Sequence, residues 1–164
     1  MKTYTKICDC ANKLINYLLV VIFTVMTVIA VTEVVRRYIL GVSFPWADEI
    51  LRYLLVWMGF LGGSVALRKG KLARFDLGHN KLSEKTRTIL AIVVGIIIIV
   101  LFAFTFAYSY RWATSFSAQK SRMNTLPFTL QPVYAAVPVG MFFCELFSFE
   151  RLIKDILRLK EVNK

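Results

Sequence analysis

The chain has 164 residues, 57% of them hydrophobic, and a net charge of +11 from 21 Lys and Arg against 10 Asp and Glu, so it is both apolar and strongly basic. That combination argues against an ordinary soluble domain, and three cysteines are too few for a disulfide framework. The apolar residues fall into four long continuous runs, each close to the ~20 residues a helix needs to cross hydrocarbon, and the runs do not alternate as barrel strands would. The expectation is an all-α integral membrane protein: four transmembrane helices in a single domain over residues 1–164.

In chain order, the lead comes first. Tyr4, Ile7, Cys8, Ala11 and Ile15 recur at helical spacing opposite Lys6, Asp9 and Lys13, the pattern of a short amphipathic helix at the headgroups. The first transmembrane helix is expected at about 14–35. Its apolar core is longer than a signal-peptide core and lacks a small-residue cleavage site, so it reads as a retained span.

Glu33 precedes Arg36 and Arg37 by three and four residues, a spacing that suits ion pairing on one helix face. The turn Gly41-Val42-Ser43-Phe44-Pro45 leads into a second helix at about 46–67. Trp46 suits the membrane interface, and Asp48 and Glu49 occupy the first turn, where negative charge complements unpaired amides. Asp48 also stands four residues before Arg52. Charges at membrane depth persist when paired, so Glu33, Arg36, Arg37, Asp48, Glu49 and Arg52 are expected to form an ion cluster that pins two helix ends, docks a partner, or does both. Further along, Gly59 and Gly63 have the four-residue spacing that lets helix backbones approach closely. With Trp57 and Gly62 they make a candidate packing face, either within the chain or against another subunit.

The middle stretch carries a weaker amphipathic pattern in Leu72, Phe75, His79 and Leu82. The third helix is expected at about 88–111, with Phe102, Phe104, Phe106, Tyr108 and Tyr110 at alternate positions. Alternate positions scatter around a helix, which suits lipid contact better than a stacking box. Lys120 and Arg122 lie in the next loop. The fourth helix is expected at about 130–149, with Pro138 able to kink it and Glu145 as an intramembrane carboxylate in its inner third. Beyond it, Phe149, Leu152, Ile153, Ile156 and Leu157 form an apolar stripe opposite Glu150, Arg151, Lys154 and Arg158.

Most Lys and Arg lie in the lead, in residues 68–87 and after Glu150; the others are Arg36, Arg37, Arg52, Arg111, Lys120 and Arg122. The positive-inside bias then places both termini and the middle stretch in the cytoplasm. The basic charge, spread over three juxtamembrane segments, points to lipid headgroups rather than nucleic acid. No catalytic, cofactor-binding or metal-ligating set is predicted. His79 is the only histidine, and Cys8-Asp9-Cys10 has none nearby. A stand-alone small multidrug-type exporter would need a carboxylate in mid-helix 1, where Glu33 is terminal, and a membrane-embedded enzyme would need facing His, Asp or Glu clusters.

The stretch Arg37-Tyr38-Ile39-Leu40-Gly41-Val42-Ser43-Phe44-Pro45-Trp46-Ala47-Asp48-Glu49-Ile50-Leu51-Arg52-Tyr53, with Trp57, Phe60, Leu61-Gly62 and Arg68-Lys69 after it, resembles the small permease subunit of tripartite ATP-independent periplasmic (TRAP) transporters. One departure is visible: a histidine common in the family a few residues before the position of Asp76 is replaced here by the Lys71-Leu72 region, and His79 follows instead. The resemblance implies a scaffold in a bacterial inner membrane. Its partners would be a large elevator-type permease subunit that holds the substrate and sodium sites, and a periplasmic substrate-binding protein that delivers an organic acid. Sialic acid is favoured over a C4-dicarboxylate or a keto acid. On this view Ser43, Lys120 and Arg122 belong to a binding-protein docking face.

Overall fold

The computed structural model describes residues 2–69 and 84–162. The Leu72, Phe75, His79 and Leu82 pattern and Asp76 lie outside the described residues. Five helices are described: α1 Lys2–Val35, α2 Pro45–Arg68, α3 Glu84–Ala113, a short α4 Phe116–Lys120, and α5 Gln131–Val162. All except α4 are long and apolar enough to cross a membrane.

The helices run further than hydropathy alone indicated. The polar lead is not a separate surface helix but the first turns of α1, and the tail after Glu150 continues α5 without a break. Neither segment contains the glycine or proline that would separate it from its span. At its far end α1 continues into a looser π-wound turn, Arg36–Leu40, which Gly41 stops with a left-handed backbone at φ 67°. Glycine takes that conformation without a Cβ clash. Pro45 then opens α2, at a position where its missing amide leaves no bond unmade.

The spans stand in a row rather than a closed bundle. α5 packs most extensively on α3 and next on α2; α2 packs on α1; α1 meets α5 only slightly, and neither α1 nor α2 packs on α3 among the described residues. The order across the row is therefore α1, α2, α5, α3. The outer helices accordingly expose most of their apolar surface, as lipid-facing helices do, including Val20, Phe23 and Val28 on α1 and Ile97, Val100 and Phe104 on α3.

The packed core sits where α1, α2 and α5 converge. Cys8, Ile15, Leu61, Val65 and Phe147 are buried there, with Trp57 and Leu146 against them. Higher up, α2 and α5 touch backbone to side chain at Gly140. A Cβ on Gly140 would fall 2.5 Å from Phe60 Cβ and within 3.3 Å of its backbone. Gly59, Gly62 and Gly63 differ, because a Cβ on any of them would meet nothing within 4 Å. The close approach inside this chain therefore uses a lone glycine on α5 rather than the spaced glycines of α2.

Candidate functional site

The charged residues gather at the two ends of the row, and the two gatherings are built differently. At the end that holds both termini, Arg68 closes α2 and reaches two other helices. Its Nε donates to Glu150 on α5 at 2.8 Å, and one terminal nitrogen donates to Asp9 on α1 at 2.7 Å. That terminal nitrogen also donates to Glu150 at 3.2 Å, Lys154 adds a third bond to Glu150 at 2.7 Å, and the Arg68 guanidinium lies 5.3 Å from the centre of the Phe147 ring. Tyr4 ties the start of α1 to α5 by donating its hydroxyl to the Leu146 carbonyl at 2.9 Å. Beneath these bonds Cys8 is wholly buried. Sequence reasoning had singled out Glu145 as the carboxylate of this region. The structure pairs its neighbour Glu150 instead, one and a half turns further on, while Glu145 is half-buried and its Oε2 has no hydrogen-bond partner among the described residues. Only the helix order brings residues 68 and 150 together, so no spacing rule could have found the pair.

At the opposite end, which holds the α1–α2 turn and the connection from α3 to α5, the carboxylates bind backbone. Glu33 does not pair with Arg36 or Arg37: both its oxygens accept the Phe44 amide, at 3.1 and 3.2 Å. The turn at Gly41 swings that amide back over the end of α1, and Glu33, 7% exposed, takes it. Glu49 is likewise 7% exposed and receives four donors. The Tyr53 hydroxyl and the Asn124 amide donate to Oε1 at 2.5 and 2.8 Å, the Thr125 amide to Oε2 at 2.9 Å, and the Thr125 hydroxyl also to Oε2.

This carboxylate moors a compact loop. Arg122 pairs with Thr129 in an isolated antiparallel bridge, Met123 donates to the Phe128 carbonyl at 2.9 Å, and Leu130 donates to the Ser121 carbonyl at 2.9 Å. Ser115 caps α4 just before it, accepting the Ala118 amide at 3.3 Å.

With Glu33 and Glu49 engaged in this way, the expected ion cluster is replaced by capped loops. Among the described residues, no ion pair joins Glu33, Arg36, Arg37, Asp48, Glu49 and Arg52. Arg37, Asp48 and Arg52 are exposed. Arg36 is half-buried with its guanidinium 3.7 Å above the Phe44 ring, and its Nε has no acceptor. Ser43, Lys120 and Arg122 are all exposed, Lys120 lying 4.2 Å from the Phe116 ring centre. No three His, Cys, Asp or Glu side chains converge among the described residues as metal ligands would.

On α3 the aromatics stack along the helix, Phe104 on Tyr108 at 4.5 Å and Phe106 on Tyr110 at 6.2 Å, and only Phe106 reaches across, to Phe142 of α5 at 6.3 Å.

Known proteins resemble this chain in sequence. A candidate TRAP transporter small permease protein of Haemophilus influenzae is 28% identical over 86 residues, 52% of this chain and 53% of that protein. The sialic acid TRAP transporter permease protein SiaT of Haemophilus influenzae is 32% identical over 76 residues, 46% of this chain but 12% of that much longer protein. The match thus spans about half the length of the first relative and a small part of the second. The family model for tripartite ATP-independent periplasmic transporters, DctQ component, matches residues 26–158, from the latter part of the first span through the second and third and nearly to the end of the fourth. A multi-pass membrane protein with this match belongs to the DctQ family of TRAP transporter small permeases.

Proposed function

We propose that this chain is the small membrane subunit of a sodium-coupled, binding-protein-dependent importer of an organic acid, sialic acid being favoured. The observation that carries the proposal is the family match over residues 26–158. Sialic acid is favoured because one relative is a sialic acid TRAP permease. That relative is far longer than the matched segment, which is consistent with the small subunit working beside a larger permease body.

In this reading the row of helices is scaffold. The open glycine face of α2, formed by Gly59, Gly62 and Gly63, offers the large permease subunit a close approach that the chain does not use for itself. The distribution of Lys and Arg favours a bacterial inner membrane orientation with both termini in the cytoplasm, so the moored loop faces the periplasm. There Ser43, Lys120 and Arg122 are free to meet a substrate-binding protein. Because Glu33 and Glu49 are occupied internally, that face presents mainly positive charge, which would steer an acidic docking surface.

The test is reconstitution. Proteoliposomes containing this chain and its large permease subunit, supplied with the cognate binding protein, should take up radiolabelled sialic acid when an inward sodium gradient is imposed, and should fail when any component or the gradient is omitted. Uptake by the large permease and binding protein at the full rate without this chain would refute the subunit role. Sodium-driven uptake of a different organic acid would refute only the substrate.

A further inference from the structure

The turn between α1 and α2 holds a cleft of about 110 Å³ lined by Val28, Ile29, Thr32 and the buried Glu33 from α1 and by Phe44, Trp46 and Ala47 across it. It is smaller than the roughly 300–1,000 Å³ of a small-molecule pocket, and its walls are almost wholly apolar, so it suits a linear hydrocarbon segment. Val28 at its edge is 59% exposed, so the cleft opens sideways on the flank of α1 rather than into the protein.

Its depth follows from the ends of the row. Asp9, bound to Arg68, and Glu33, bound to Phe44, are separated along α1 by about 36 Å at 1.5 Å per residue, slightly more than the ~30 Å of hydrocarbon in a bilayer. The two bound carboxylates therefore bracket the apolar layer. The cleft lies just inside it, and Arg36 and Arg37 stand about one turn beyond Glu33, at headgroup level.

Arg36 gives this cleft its chemistry. Its guanidinium lies against Phe44, the aromatic wall of the cleft. Among the described residues it makes no hydrogen bond or ion pair, its Nε–H is enclosed without an acceptor, and the carboxylate one turn before it is already held by the Phe44 amide. A half-buried cation at the membrane boundary is stabilised by a bound anion, and Glu33, turned to the Phe44 amide, forms no ion pair with it. Arg37 adds a second, exposed cation beside it.

From this juxtaposition we infer that the α1–α2 turn is a site for a single phospholipid, with the glycerol-proximal segment of one acyl chain in the cleft and its phosphodiester on the guanidinium of Arg36, assisted by Arg37. A guanidinium offers paired donors that match phosphate oxygens, and Trp46 in the opposite wall is the residue type that settles at this depth. The site stands whether or not the chain is a transporter subunit.

Native mass spectrometry of the full chain, purified in detergent, delipidated and titrated with dioleoyl phosphatidylglycerol, tests it. One lipid should bind in preference to further copies. Arg36→Gln should weaken that binding by roughly fivefold or more, the factor expected for about 1 kcal/mol per basic group near an anionic headgroup. Arg36→Lys should retain most of it, and Val28→Trp, which fills the cleft from its exposed edge, should weaken it without touching the cation. Far-UV circular dichroism should be unchanged in all three, since neither side chain forms a hydrogen bond among the described residues. Inorganic phosphate and glycerophosphoglycerol should fail to compete at concentrations where the lipid saturates; competition by either would reduce the site to a plain anion site and overturn the lipid assignment. Equal lipid binding by wild type, Arg36→Gln and Val28→Trp would also overturn it. So would an Arg36→Gln variant that keeps the lipid but loses capture of the large permease subunit, because the missing anion would then be a carboxylate of that partner.

Discussion

The two ends of the helix row use similar charges to opposite effect. At the termini end, side chain binds side chain: Arg68 is held between Asp9 and Glu150, and three helices are joined through one guanidinium. At the turn end, carboxylate binds backbone: Glu33 and Glu49 hold loop amides, and the arginines beside them form no ion pair among the described residues. The first arrangement closes the molecule on itself. The second shapes loops and leaves cations for something outside the chain. A basic residue is thus informative only together with the fate of the nearest carboxylate.

Breaking the termini end should have the largest effect. Glu150 and Arg68 have 4% and 15% of their side chains exposed, so Glu150→Gln leaves a mostly buried cation with only the exposed Asp9 as its anion, at a cost of about 3 kcal/mol. The check is thiol labelling in a Cys10→Ser, Cys144→Ser background, where Cys8 is shielded until this end opens. Its reaction should accelerate by roughly a hundredfold, and an unchanged rate would mean that the clasp contributes little.

Midway between the ends, Gly140→Ala forces α2 and α5 apart at Phe60 and should cost about 1 to 3 kcal/mol, read as a lower melting temperature in detergent. Gly63→Ala, with open space around it, should leave the isolated chain unchanged. Equal melting temperatures for the two variants would show that the α2–α5 contact relaxes freely.

At the turn end, Glu49→Gln places an amide donor among four donors. Hydrogen exchange at Asn124 and Thr125 should quicken by roughly tenfold while protection in α5 persists, because the loop is released without the helix. Loss of protection throughout α5 would make Glu49 a global stabiliser instead.

The smallest stability effects belong to exposed charges. Asp9, 56% exposed, should give up less than about 1 kcal/mol in Asp9→Asn, a difference measurable only by comparing melts at low and high salt. The Lys120→Glu, Arg122→Glu pair should leave melting unchanged and slow uptake at limiting binding protein. Normal uptake at every binding-protein concentration would remove this loop from the docking face.

How much of this was legible in the sequence follows from interaction range. Hydrocarbon length and apolar continuity located the four spans, because each span satisfies its own backbone and needs no knowledge of its neighbours. Helix ends were less legible. The lead and the tail read as surface helices because their composition changes at the membrane boundary, whereas helical hydrogen bonding continues through that boundary.

The charged ends were legible as places and not as bonds. Glu33 and Arg36 have a pairing distance in sequence, but the π-wound turn and Gly41 deliver an amide to Glu33 first. Glu49 reaches Asn124 and Thr125 across 75 and 76 residues, and Arg68 reaches Glu150 across 82. No local pattern encodes such separations. The glycines make the same point, since the spaced pair on α2 is open and the unpaired Gly140 carries the contact.

The order α1, α2, α5, α3 also has a mechanical meaning. At about 8–10 Å between neighbouring axes, a row of four helices reaches on the order of 30 Å from first axis to last while remaining one helix thick. Attached along one edge or face to a larger membrane body, such a plate acts as an outrigger: any tilt of that body must drag the plate through the lipid at a long lever arm. Anchoring at both bilayer surfaces, by bound carboxylates about 36 Å apart, would hold the plate upright. A membrane machine whose moving part slides against a fixed part needs the fixed part not to roll, and a thin, wide row supplies that resistance with few residues.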